Sequence, residues 1–285
     1  MRIALAGGMV LALALVSFPQ VVINEVAWGG TKASPYDEWI ELYNPSDVPV
    51  DLTGWTLTWA GVTIYLGAED GNTRVLKRHV VPAHGYFLLE RGGDDTVVGR
   101  DADLIYVGAL PNGGAELRLV DPEGDVVSTA NAGCPKGWWA GGKGASMERI
   151  SPTASDGRFS WRTGIAGELK DADGVPIVGS PGEVNVCYLH SPRVESEFPS
   201  GELSGVVSWG WSAQDPDTPA GELSVGLYVS YDGGATLQQV AEGLPASGSY
   251  DWDTTGWEAG EVLLVVKAVD PDGFWGVATA EAEIE

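Results

Sequence analysis

The stretch Val21-Val22-Ile23-Asn24-Glu25-Val26-Ala27-Trp28, followed by Glu38-Trp39-Ile40-Glu41-Leu42-Tyr43-Asn44, decides the fold class. Apolar and polar residues alternate with the period of an extended chain, and β-branched and aromatic side chains dominate, which predicts half-buried strands. The pattern recurs outward in GWTLTWAGVTIYL (54–66), YFLLER (86–91), AELRLV (115–120) and DVVST (125–129). Between these runs lie Asn44-Pro45-Ser46-Asp47, Pro111-Asn112-Gly113-Gly114 and Asp121-Pro122-Glu123-Gly124, residues that set φ for tight turns. No window after the first 20 residues sustains a helical period.

A second family of runs follows Pro192: GVVSWGWSAQ (205–214), LSVGLYVSYD (223–232), TLQQVAEG (236–243), GSYDWDT (248–254), EVLLVVKAVD (261–270) and WGVATAEAEI (275–284). Six strands in so short a stretch predict a second compact sandwich. The expected organisation is a signal peptide at 1–20, a first β-sandwich domain at 21–187, a short linker at 188–200 and a second sandwich at 201–285. Asn131 to Gly182, glycine-rich and weakly periodic, is expected to run as an ordered excursion over the first sandwich.

Bulk composition agrees with an all-β chain. The 285 residues include 40 Gly, 17 Pro and 12 Trp, and 44% are hydrophobic, enough to bury two cores. A formal charge of −24 repels phosphate polymers and anionic lipid, so nucleic acid is discounted as a partner. The first 20 residues combine Arg2, an apolar run from Ile3 to Val16, and the breakers Ser17 and Pro19. That run is shorter than the roughly 20 residues a helix needs to cross a bilayer, and it reads as an export signal. The expected location is therefore extracellular, on the cell surface or in the periplasm.

The order and spacing of VVINEVAW, EWIELYNPSDVPVDLTGWTLT (38–58), VVPAHGYFLLER (80–91) and NGGAELRLVDPEGDVVST (112–129) resemble the lamin-tail domain. Bacterial members close on a pattern similar to SMERISP (146–152), FSW (159–161) and SPGEVN (180–185) in this chain. The resemblance implies an immunoglobulin-like sandwich without catalysis. Alternation places Trp39, Leu42, Leu52, Trp55 and Leu57 on core faces with the other faces solvated, and sets Glu38 and Glu41 on opposite faces. SWGWSAQDPDTP (208–219), YVSYDGGAT (228–236) and GSYDWDTTG (248–256) resemble bacterial immunoglobulin-like and fibronectin type III modules. Both resemblances imply adhesion, surface display or a role beside enzymes.

Three candidate sites follow. Cys134 and Cys187, an even pair in an oxidising compartment, are expected to form a disulfide, with two free thiols as the alternative; a zinc site adding His190 has too few ligands. Asp215, Asp217, Asp253, Asp270 and Asp272 lie near strand ends of the second domain and are candidate calcium ligands, although Asp-Pro and Asp-Gly are also ordinary turn chemistry. Trp138 and Trp139, with Lys143 nearby, form either a ligand platform or a packed lid. Gly137 to Gly144 only approximates a phosphate loop, ending in Gly where a hydroxyl is required. His79, His84 and His190 are scattered, and G-x-S-x-G and H-E-x-x-H are absent. The reading is a non-catalytic exported binding or scaffolding protein with a protein or envelope polysaccharide as partner and no required cofactor. The alternatives are an accessory subunit of a secreted hydrolase or nuclease and a calcium-stabilised spacer.

Overall fold

The computed structural model describes residues 21–152 and 154–285; the expected signal peptide at 1–20 lies outside the described residues. Strands β1 (Val22–Ala27), β2 (Trp39–Tyr43), β3 (Val50–Asp51), β4 (Thr56–Trp59), β5 (Val62–Tyr65), β6 (Thr73–Leu76), β7 (Val80–Val81) and β8 (Tyr86–Arg91) come first. They are followed by β9 (Leu104–Tyr106), β10 (Leu117–Val120), β11 (Val126–Ala130), β12 (Met147–Arg149), β13 (Trp161–Thr163), β14 (Ala166–Lys170), β15 (Pro176–Val178) and the short helix α1 (Val186–His190). The second half contributes β16 (Arg193–Glu197), β17 (Glu202–Leu203), β18 (Val206–Gln214), β19 (Ser224–Ser230), β20 (Gln238–Leu244), β21 (Ser247–Asp253), β22 (Gly260–Val269) and β23 (Trp275–Ile284). Every run read as a strand in the sequence overlaps one, and GWTLTWAGVTIYL (54–66) contains two, β4 and β5.

In the first sandwich, the sheet β13-β12-β1-β2-β8-β9-β6 faces the sheet β11-β10-β4-β5. The β4–β5 hairpin turns at Ala60-Gly61, both at positive φ (42° and 82°), the twist-compatible geometry for a two-residue turn. Ile23, Val26, Ile40, Leu42, Leu52, Trp55 and Leu57 fill the core between the sheets. The excursion after Asn131 does more than pass over the sandwich. Within it, β12 pairs with β1 and β13 with β12, extending the larger sheet.

One face expected to be solvated is covered. All six residues of β1 are buried, because the β14–β15 hairpin and the segment leading into α1 pack over the outer surface of the larger sheet. Trp39 therefore lies outside the main core, in a second cluster with Ala27, Leu88, Val97 and Ile177. Glu25, Glu41 and Glu148 are buried under the same cover. Each carboxylate accepts a backbone N–H from it: Glu25 from Ser180 (3.0 Å), Glu41 from Gly182, and Glu148 from Cys187 (3.2 Å). Asn185 completes the attachment by donating to Arg149 O (2.8 Å) and accepting from Asn24 Nδ2 (2.8 Å). The SPGEVN phrase is thus the strap, and the outer-face carboxylates are its anchor points.

The second sandwich stacks β16-β18-β21 on β17-β23-β22-β19-β20 around Trp209, Trp252, Leu227, Leu264 and Val266. The expected linker at 188–200 is not free chain: β16 pairs antiparallel with β18 through Arg193↔Gln214 to Glu197↔Gly210 and belongs to this sheet. Val194 and Ser196 alternate with the exposed Arg193, Glu195 and Glu197 in that segment, a strand pattern that the flanking Pro192 and Pro199 masked. Among the described residues, no helix is long and apolar enough to cross a membrane.

Candidate functional site: an aromatic cleft between the sandwiches

Tight joining of the two sandwiches follows from the lack of slack between α1 and β16. Arg158 Nη1 donates to Ala235 O (2.6 Å), and Arg162 Nη2 to Gly273 O (3.1 Å). The Arg162 guanidinium also lies over Phe274 and Trp275, at 4.9 and 5.3 Å from the ring centroids. Phe159 meets Trp275 edge-on at 6.4 Å, and His190 pairs with Asp217 (2.5 Å). A cleft of about 480 Å³ lies at the junction, lined in part by Arg158, Phe159 and Trp275 of these contacts.

The first sandwich supplies Trp138, Trp139, Phe159 and Trp161 to the cleft; the second supplies Leu237, Lys267 and Trp275. Local chemistry fixes the tryptophan wall. Buried Asn131, at φ 66°, donates to Ala115 O (3.2 Å) and Gly137 O (2.9 Å) and accepts from Trp139 N (2.9 Å). Gly114, at φ 95°, lets Gly137 O approach closer than any side chain would permit. The indole N–H groups of Trp138 and Trp139 are spent internally, on Pro111 O (2.9 Å) and Ala132 O (3.1 Å). Trp28 stacks on Trp138 at 5.8 Å with the rings 4° apart. Both tryptophans are half-buried, so they pack against the core and still present ring area to the cleft.

Lys136, Arg158 and Lys267 are the cationic residues lining this space, and no carboxylate side chain lines it. Burial together with the neighbouring Arg162 charge pushes the Lys267 ammonium below its ordinary pKa; Glu242 opposes this from a distance. Lys77, Arg78, Arg91, Arg100 and Arg118 all pair with carboxylates elsewhere on the first sandwich. Lys143, expected beside the tryptophans, is not part of the lining.

The expected disulfide is corrected. Cys134 and Cys187 are both free, and they sit on elements that face different neighbours. Cys134 is half-buried at the cleft with Sγ near Lys136 O (3.7 Å); Cys187 is buried in α1 with Sγ toward Arg149 O (3.4 Å). Burial, with Glu148 alongside, raises the Cys187 thiol well above its ordinary pKa and keeps it unreactive. One thiol should therefore react with a thiol-specific reagent in the native protein, the second only after denaturation. A reductant should leave the melting temperature unchanged, and a fall in it would reinstate the bridge.

The five aspartates do not converge. Asp253 pairs opposite Val206 at the start of β18, whereas Asp215 follows the end of that strand, roughly 30 Å away along nine residues of extended chain. Asp215 Oδ1 accepts from Asp217 N (3.1 Å) and Thr218 N (2.8 Å), Asp253 from Thr255 N (2.9 Å), and Asp270 from Phe274 N (2.8 Å), which are turn-capping roles. Asp272 is exposed. Among the described residues, no group of three or more His, Cys, Asp or Glu side chains is placed to hold a metal ion. Saturating calcium should leave the melting temperature where magnesium leaves it; a calcium-specific rise would show that the Asp215–Asp270 end rearranges to bind.

His84, at φ 51° with Asp47 2.8 Å away, is the turn residue expected of it. Glu38 accepts from Arg91 (2.9 Å) and Leu110 N (2.8 Å), while Glu41 is engaged by Asn24 and the strap, so the two carboxylates form no catalytic pair.

No curated protein matches this chain. Among solved structures, the PKD domain of an M14-like peptidase from Thermoplasmatales archaeon SCGC AB-540-F20 is similar at 15% identity and a TM-score of 0.23, over 33% of this chain and 92% of that one. Residues 17–133 match the family model of the Lamin Tail Domain.

Proposed function

We propose that this protein is an exported, non-catalytic binding and scaffolding module of the cell surface or envelope, and that it engages its partner at the cleft between the sandwiches. The single observation that carries this reading is the cleft itself: half-buried indole faces from both domains surround cations that make no ion pair within 4.0 Å among the described residues. Ligand sites are concave, mostly apolar and marked by a few placed polar groups, and about 480 Å³ lies in their usual range. Immunoglobulin-like domains supply rigid frames for such sites without chemistry of their own.

Co-sedimentation of residues 21–285 with purified envelope fractions tests the proposal. Saturable pelleting that weakens in Trp139→Ala supports it. Failure to pellet removes the envelope from the account and directs attention to a soluble partner such as an exported hydrolase.

A further inference from the structure

We infer that the cleft takes a carboxylate-bearing sugar, of the uronate kind, as its ligand. The inference rests on the reading of the cleft as the binding site and adds the chemical class of what enters it.

Two features of the lining select this class. The first is the aromatic wall. Trp138 and Trp139 have their N–H groups satisfied by backbone carbonyls, so they offer ring faces and no donors. A ring face takes a flat, C–H-rich surface, and the axial C–H face of a pyranose is one. The second is the charge. In a chain of formal charge −24, Lys136, Arg158 and Lys267 gather where no carboxylate lines the wall. Lys267 is half-buried, its Nζ lies 5.3 Å from the centroid of the Trp275 ring, and its ammonium is held below its ordinary pKa with no carboxylate within ion-pair distance among the described residues. Entry of an anion relieves that cost, because a charge-assisted hydrogen bond forms at a desolvated cation. The negative charges elsewhere on the surface are screened beyond about 8 Å at physiological salt, so the local field of the cleft governs a small ligand.

The lining also discriminates against a nucleotide. No Asn, Gln, Asp or Glu side chain lines the cleft, so no side-chain acceptor is there to take the exocyclic amine of a base. The hydroxyls of a sugar need no such partners, because the cleft opens to solvent and they stay hydrated there.

Calorimetric titration of residues 21–285 with a trigalacturonate, a neutral trisaccharide and uridine monophosphate tests the inference. The expected result is binding of the uronate at least about tenfold tighter than either of the others, weakened by about 0.5 M salt. Lys267→Gln should raise the dissociation constant about tenfold while the circular dichroism spectrum is unchanged, and Trp139→Ala, if it folds, should do the same. Equal binding of the neutral sugar overturns the charge half of the inference, and tighter binding of the nucleotide overturns the sugar. Absence of uronate binding while envelope pelleting still depends on Trp139 overturns the ligand class alone. Pelleting indifferent to Trp139 overturns the cleft as the site.

Discussion

Replacing Arg149 with Met should destabilise the first sandwich by about 3–5 kcal/mol, the largest effect of any single substitution considered for this protein. Arg149 is 3% exposed and, among the described residues, has no carboxylate within ion-pair distance. Its guanidinium instead ties three separate pieces of chain: Nε donates to Ile23 O on β1 (2.7 Å), Nη1 to Ala154 O (2.8 Å), and Nη2 to Thr129 O on β11 of the facing sheet (2.6 Å). The ring of Trp161 lies 4.4 Å beneath it, and that indole is fixed in turn by Asp156 Oδ1 (2.6 Å). Burial lowers the Arg149 pKa to about 10, with Asp156 opposing, so the group stays charged at neutral pH. Methionine preserves the apolar stem but strands three carbonyls at once, each costing about 1–3 kcal/mol if water does not reach it. Urea denaturation checks the effect. A loss under about 1 kcal/mol at an unchanged denaturant slope would mean that the sheets do not depend on this tie.

The second large effect is on pH. Burial, then the charges of Glu148 and Glu41, raises the Glu25 carboxyl well above its ordinary pKa. Burial raises Glu41 to about 8, against hydrogen bonds from Asn24 and Gly182, and Glu148 is raised by the same cause. Glu38 and Glu90, also desolvated, rise to about 7. A carboxyl with a raised folded pKa binds its proton more tightly in the folded than in the unfolded state. Stability from these groups is therefore present on the acid side and is lost as pH rises through the folded values, between about 4.5 and 8. The protein should melt several degrees higher at about pH 5.5 than at about pH 8.5, opposite to the behaviour of a protein stabilised by carboxylate ion pairs. Below about pH 4 the trend should reverse weakly, because Asp51, Asp94 and Asp232 have lowered values and are mostly exposed.

Glu25→Gln isolates the cluster from the general effect of net charge. Oε2 of Glu25 and the buried Ser146 Oγ make no well-formed hydrogen bond to any other described group, and the Ser146 hydroxyl is the side chain that favours the charged carboxyl. An amide there keeps one oxygen for Ser180 N and offers an N–H to its carboxylate neighbours. The variant should gain on the order of 2 kcal/mol above about pH 7 and show a shallower pH dependence. An unchanged slope would place the titration elsewhere.

Both effects bear on how far the sequence discloses the structure. Period-two alternation identifies the strands of both sandwiches, because the signal is local and each run carries enough β-branched and aromatic residues to express it. The same rule assigns Glu25 and Glu41 to solvent. It fails because the strap at Ser180–Asn185 covers that face from far along the chain, and nothing within a strand announces a cover. Arg149 in SMER, Trp161 in FSW and Asn185 in SPGEVN were legible as a pattern but not as a mechanism, since their connection is made only by tertiary contact. The cysteine expectation failed for a related reason: an even count specifies no distance between sulfurs. The aspartates share a turn chemistry that sequence detects, whereas the end of the sandwich each occupies depends on strand pairing. At the cleft, Trp138 and Trp139 were visible as a doublet, but Lys267 and Trp275 join them only through the packing of one domain on the other.

The central claim is that this protein binds through the cleft its two sandwiches share. Tryptophan-indole ¹⁵N NMR of residues 21–285 during titration with solubilised envelope glycan tests it most directly, since the twelve indoles are distributed over both cores and the cleft. The account predicts that the Trp139 and Trp275 signals shift with saturation while those of Trp209 and Trp252, inside the second core, stay in place. Shifts confined to other indoles, with Trp139 and Trp275 unmoved at saturation, would contradict it.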